Sequence, residues 1–143
     1  MALAVTLPVS LSIFWSFSWD AASFDNDQYA QVTVLDGTFT GVLLRYDTTS
    51  SDYYQVLVRD ADRLRIHDAH GNTLTSFNCG GCYPAGGVLR AEIAGNVISV
   101  YWNGSLQGSP YTDVAERADS GPPGVYSYGT NTSIAALDDF EAG

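Results

Sequence analysis

The stretch "VLRAEIAGNVISVYWNGSLQGS", Val88–Ser109, alternates apolar and polar residues with a period of two. Leu89, Ala91 and Ile93 share one parity, and Ile98, Val100 and Trp102 resume it after the turn at Ala94-Gly95-Asn96. Arg90, Glu92, Ser99 and Tyr101 take the other parity. Such alternation specifies strands with one face on a core and one face outward. Asn103-Gly104 follows, and this dipeptide tolerates the positive φ angles of a type I′ hairpin turn. The stretch therefore predicts antiparallel strands joined by tight turns.

The same period runs outward in both directions. "QYAQVTVL" (28–35), "GVLLRYD" (41–47), "YYQVLVRD" (53–60), "RLRIHD" (63–68) and "GVYSYG" (124–129) are short runs rich in β-branched and aromatic residues. Gly, Asn, Asp and Ser punctuate them, as in an all-β sandwich or barrel. "HGNT" (70–73) predicts a hairpin turn, "GPPG" (121–124) a rigid turn, and "DTTSSD" (47–52) a polar loop. No window carries an amphipathic helix; "DVAERAD" (113–119) reaches one helical turn at most. No linker and no repeat interrupts the pattern. The expectation is one domain over 1–143, with 1–11 as an N-terminal arm or a shortened first strand.

The chain has 143 residues, a net charge of -10 and no Lys, so Arg45, Arg59, Arg63, Arg65, Arg90 and Arg117 carry all its positive charge. Nucleic-acid binding needs basic groups that displace counterions from phosphates, and six Arg against sixteen acids exclude it as an expectation. An anionic membrane surface is excluded likewise. Charged residues make up only 15%, so Ser, Thr, Asn, Gly and Tyr must keep the surface wet. The apolar start "MALAVTLPVSLSIFWSF" has no basic residue before it and is broken by Pro8, so no clear signal peptide is expected.

Four ordered segments carry a resemblance. They are "DQYAQVTV" (27–34), "GVLLRYDTTSSDYYQVLV" (41–58), "VLRAEIAGNVISVYWNGSLQGS" (88–109) and "SGPPGVYSYGTNTSIAALDDFEAG" (120–143). Over about residues 13–143 the chain resembles the concanavalin A-like lectin/glucanase superfamily. More narrowly, it resembles the small laminin-G-like jelly-roll domains of bacterial and phage proteins. The resemblance implies an antiparallel, two-sheet, jelly-roll-like β-sandwich. It leaves function open, because this fold hosts lectins, hydrolases and passive structural modules. Such domains begin with a further strand that pairs with the closing "DDFEAG". Here residues 2–9 either serve as a shortened first strand or leave an edge open, and an open edge invites pairing with another chain. Homo-oligomerisation is therefore expected.

Both histidines and both cysteines fall in "HDAHGNTLTSFNCGGC", His67–Cys82. Three readings stay open: a Cys79–Cys82 disulfide, free thiols, or a zinc site built from His67, His70, Cys79 and Cys82. With Gly71-Asn72 as the hairpin tip, His70 faces Thr73, His67 lies near Ser76, and both histidines are exposed. The cysteines then lie too far along the hairpin for zinc unless "NCGGCYPAGG" (78–87) folds back. A glycosidase needs two carboxylates flanking a scissile bond, but Glu92, Glu116 and Glu141 lie in different segments. No catalytic residue is assigned. Calcium needs six to eight oxygens, and no contiguous loop among Asp25, Asn26, Asp27, Asp47, Asp52, Asp138 and Asp139 offers them, so no cofactor is expected, with a structural calcium at the sandwich rim, as the resemblance implies, left open.

Sugars are held by aromatic faces and planar polar side chains. Val42, Leu44, Val56, Val58, Leu64 and Ile66 join the inward set. Arg45, Tyr53, Gln55, Arg65 and His67 join the outward set, and Trp15, Phe17 and Trp19 read as core. If these strands share a sheet, Arg45, Tyr53, Gln55, Arg90 and Tyr101 form a carbohydrate-binding face; the plainer reading is a solvated face with Arg–Glu pairs. The expected function is a non-catalytic surface module on a virion or extracellular surface. It would be a phage head-decoration or tail-associated subunit that docks onto other virion or surface proteins and adheres to glycans. A free carbohydrate-binding lectin is the alternative, and a glycoside hydrolase remnant comes third.

Overall fold

A computed structural model describes residues 2–3, 14–18, 24–36, 39–60, 62–82, 86–128 and 136–143. Thirteen strands lie among them. In chain order they are β1 (Ala2–Leu3), β2 (Phe14–Ser18), β3 (Gln28–Asp36), β4 (Thr40–Leu44), β5 (Tyr54–Asp60), β6 (Arg63–Asp68) and β7 (Thr73–Asn78). Next come β8 (Gly87–Ala94), β9 (Val97–Trp102), β10 (Ser105–Leu106), β11 (Tyr111–Thr112), β12 (Gly124–Tyr128) and β13 (Ala136–Ala142). Every pairing is antiparallel. Sheet one runs β1-β13-β3-β8-β9-β10, with β11 also pairing β9; sheet two runs β2-β12-β4-β5-β6-β7. The chain is an all-β, two-sheet jelly-roll sandwich without a helix among the described residues.

Alternation sorts the inner faces as the sequence predicts. In sheet one, Ala30 pairs Ala91, Val32 pairs Leu89, and Leu89, Ala91 and Ile93 pair Trp102, Val100 and Ile98. In sheet two, Val42, Val56 and Ile66 form one row, and Val58 pairs Leu64. All of these are buried, and they pack into one core. Each fully buried Val, Leu or Ile contributes roughly 1.5–3 kcal/mol, so this layer holds the sheets together.

The turns follow from local chemistry. Asn103 and Gly104 both take positive φ, 49° and 80°, as a type I′ turn between β9 and β10 requires. Segment 113–118 forms a single turn, because the Asp113 carboxylate accepts the Ala115 and Arg117 amides and Glu116 N–H reaches the Asp113 carbonyl. Part of the N-terminal arm is a strand: Ala2 and Leu3 pair Glu141 and Phe140 of β13. Trp15 pairs Ser127 in the backbone register, whereas Trp19 lies outside the described residues.

The β6–β7 hairpin differs from its expected register. His67 pairs Thr73, and Arg65, not His67, pairs Ser76. The cause is Asp68, whose carboxylate accepts the His70 and Asn72 amides and the Asn72 side chain. That closes a wider loop than a tight turn at Gly71-Asn72, and a bulge between Ile66 and His67 absorbs the difference.

Candidate functional site

The five residues expected on one carbohydrate-binding face occupy three places. Arg90 and Tyr101 pair on the outer face of sheet one. Tyr53 and Gln55 lie at β5 in sheet two, on the opposite side of the sandwich. Arg45 sits at one end, between the sheets. The assumption of a shared sheet fails because β4, β5 and β6 belong to one layer and β8 and β9 to the other.

On sheet one, the plainer reading holds for Arg90. Its Nε donates to Glu92 at 2.7 Å, and its guanidinium lies 3.8 Å over the Tyr29 ring. The Tyr29 hydroxyl donates to Glu141 at 2.8 Å. That hydrogen bond, with burial second, raises the phenol above its ordinary pKa. This face is a mutually satisfied polar lattice.

Arg45 is a correction to its outward assignment, for it is buried. β4 ends at Leu44, and Arg45 takes a positive φ of 51°, which turns its side chain into the end of the sandwich. There Nε donates to the Asn26 carbonyl at 2.7 Å and Nη1 to the Ala118 carbonyl at 3.2 Å. The Gln28 side chain accepts from the Arg45 amide and donates to the Gly121 carbonyl. The Tyr54 hydroxyl donates to Asp113 at 2.6 Å and accepts from Ala118 N–H. Burial first and Asp113 second push this phenol up to about 12. Loop 113–121 is thus tied to both sheets. It walls a cleft of about 340 Å³ lined by Asn26, Asp27, Arg45, Asn96, Glu116 and Asp119, among others.

The outer face of sheet two departs most from expectation. Leu43 and Leu57 are 0% and 1% exposed although they point away from the main core. They pack with Tyr126, and Phe39, Tyr46 and Tyr53 lie partly buried around them. Tyr46 and Tyr53 stack at a tilt, with centroids 5.2 Å apart, and the Arg59 guanidinium lies 3.5 Å over the Phe39 ring. By register, Leu43, Gln55, His67 and Thr73 form one cross-strand row, and Gly41, Leu57, Arg65 and Ser76 form the next. A two-layer sandwich requires only one apolar face per sheet; sheet two has a second. Its signal was present in the sequence, since Val42-Leu43-Leu44 and Val56-Leu57-Val58 are unbroken apolar runs, the mark of strands covered on both sides.

The histidines separate. His70 is exposed, as expected. His67 is 8% exposed instead, with Nε2 3.1 Å from the Thr73 hydroxyl. Burial, then Arg65 and Arg59, hold its imidazole below the ordinary pKa. Cys79 and Cys82 are joined in a disulfide with Cα atoms 5.6 Å apart. They therefore offer no thiolates to zinc. Cys79 follows Asn78, which pairs Arg63, four residues from His67 along β6 and so about 13 Å away. No cluster of three or more His, Cys, Asp or Glu that could hold a metal occurs among the described residues. Of the calcium candidates, Asp47 accepts the Thr49 amide and the Ser50 hydroxyl, and Asp27 accepts the Gly95 amide.

No family model and no curated protein matches the sequence. Solved structures match the fold. The carbohydrate-binding module CBM66 from Bacillus subtilis has a TM-score of 0.69 and 12% identity, over 99% of this chain and 91% of that one. A β-glucanase of Bacillus licheniformis has a TM-score of 0.59 and 12% identity, over 90% of this chain and 76% of that one. The tail fiber protein gp63.1 of an E. coli phage has a TM-score of 0.53 and 15% identity, over 97% of this chain but 21% of that one. What the chain shares with these structures is the fold, an antiparallel two-sheet jelly roll.

Proposed function

We propose, from a concanavalin A-like jelly roll whose second sheet is apolar on both faces, that this protein is a non-catalytic surface module that recognises glycans. The observation that carries this is the outer face of sheet two. Tyr46 and Tyr53, partly buried and stacked at a tilt, lie against Leu43 and Leu57, and the largely buried Gln55 shares their face of the sheet. Aromatic faces against sugar C–H surfaces, with planar polar groups beside them, are what saccharide binding needs. The fold neighbour CBM66 is a carbohydrate-binding module, which supports the reading. The β-glucanase neighbour does not displace it. Glu92 is held by Arg90, Glu141 by Tyr29, and Glu116 sits at the end of the sandwich, so these three flank no common cleft. A glycan array is the test. Tyr53→Ala and Gln55→Ala are expected to lower binding of any positive glycan at least about tenfold, the effect of losing roughly 1.4 kcal/mol. Unchanged binding in both variants sinks the assignment of this face.

A second reading concerns setting. The tail fiber protein of a phage contains a region of this fold, which favours a virion accessory subunit adhering through the same face. Co-sedimentation with phage particles and light scattering test it. A strict monomer that never associates with particles removes it without touching glycan recognition.

A further inference from the structure

The arginines of this protein are unevenly placed. β6 directs Arg63, Arg65 and His67 to one parity, outward from sheet two, while Leu64 and Ile66 point into the core. Arg59, at the bulge between Val58 and Asp60, lies beside them on β5 and caps Phe39. Half of the six arginines of a chain with net charge -10 therefore share one sheet face, with Phe39 under Arg59 and the partly buried Tyr46 and Tyr53 farther along it. Burial first, and after it the charges of Arg65 and Arg59, hold the His67 imidazole below its ordinary pKa. The nearest buried acid, Asp68, has inward parity and is engaged by Asn72, His70 and Arg117.

Guanidinium groups recognise planar carboxylates through paired hydrogen bonds and also stack on rings. A face that mixes them with Tyr and Gln suits a ligand with both a sugar ring and a carboxylate. From Tyr53 to Arg59 is six residues of strand, about 20 Å, which is room for an oligosaccharide rather than one ring. We propose that the ligand of this face is an acidic oligosaccharide, with its carboxylate against Arg59, Arg63 and Arg65 and a ring against Tyr46 and Tyr53. This inference rests on the glycan reading above and goes beyond it in naming the ligand's charge.

Two matched pairs test it by titration calorimetry on the whole chain. They are 3′-sialyllactose with lactose, and oligogalacturonate with its carboxyl-reduced counterpart. The acidic member of at least one pair is expected to bind at least about tenfold tighter at low salt, with the preference shrinking as screening shortens the reach of the arginines. Arg65→Gln is expected to remove that preference, read as the ratio of acidic to neutral affinity. Arg63→Gln, at an exposed position, repeats the measurement without disturbing packing. Amide shift changes are expected to centre on Gln55, Arg65 and His67. Equal binding of acidic and neutral members overturns the acidic preference and leaves glycan recognition standing. Shifts centred on Tyr29, Arg90 and Tyr101 overturn the location. No binding by either acidic member, together with a glycan array blank for every class, overturns both readings.

Discussion

Asp113 is 1% exposed, yet it carries a charge, and its neighbours explain how. Burial pushes its carboxyl pKa up, but the Tyr54 hydroxyl, the Arg117 and Ala115 amides and the Arg117 guanidinium outweigh that and hold it below the ordinary value. Asp68 follows the same pattern, with Asn72 and His70 as its donors. A carboxylate depressed in the fold adds stability above its unfolded pKa, near 4, and loses it as pH falls further. Unfolding free energy is therefore expected to drop below about pH 4, and Asp113→Asn is expected to flatten that drop in urea melts at stepped pH. His67 has the opposite chemistry. Its depressed pKa means that the unfolded chain takes the proton first, so stability should fall as pH drops below about 6.5 and level off once the folded form is protonated. His67→Gln should remove that component. Tyr54→Phe strips Asp113 and the Ala118 amide of their shared partner and is expected to cost about 1–3 kcal/mol by chemical denaturation. Arg45 was legible in the sequence as a polar residue ending a strand. Its burial was not, because a positive φ at one residue reverses where the next atoms go.

At the scale of elements, β3, β6, β8 and β9 were readable from alternation, because a half-buried strand must alternate, whereas β4 and β5 are apolar on both faces and do not. Pairing was less readable. Residues 41–67 and 88–101 have the same parity pattern whether they share a sheet or face each other across a core, and only the crossovers decide. That is why Tyr53 and Gln55 separate from Arg90 and Tyr101. The β6–β7 hairpin was misplaced because the capping by Asp68 acts through a side chain, which periodicity does not register. The loop after β7 closes a disulfide across three residues of sequence, and a ring that small constrains the unfolded chain by about 2 kcal/mol. Reduction with dithiothreitol is expected to lower the unfolding free energy from urea melts by about that much or less, and a zinc chelator to leave it unmoved. The tight turn at Asn103-Gly104 offers a sharper test. Gly104→Ala meets no neighbouring atom but must hold a φ of 80°, so its cost of about 1 kcal/mol would be purely conformational.

At the scale of the whole molecule, the sheets interleave the chain. β2 pairs β12, β4 pairs β12, and β3 pairs both β8 and β13, so the pairings that close both sheets join residues far apart in sequence. Long loops must close before such contacts form, and refolding is expected in milliseconds to seconds by stopped-flow fluorescence, without a microsecond phase for the native signal. The polar tie that Gln28, Arg45, Tyr54 and Asp113 make at one end gives that assembly a fixed corner. The pairing of Ala2 and Leu3 with Glu141 and Phe140 has a different consequence. It sets the first and last strands side by side, so a short linker can join them. New ends can then be opened in the exposed polar loop at 48–51, away from the core. A circular permutant so made should keep both sheets. The same adjacency makes this sandwich a natural insert, one that can be seated within a surface loop of another protein while the host's two flanking strands stay almost where they were.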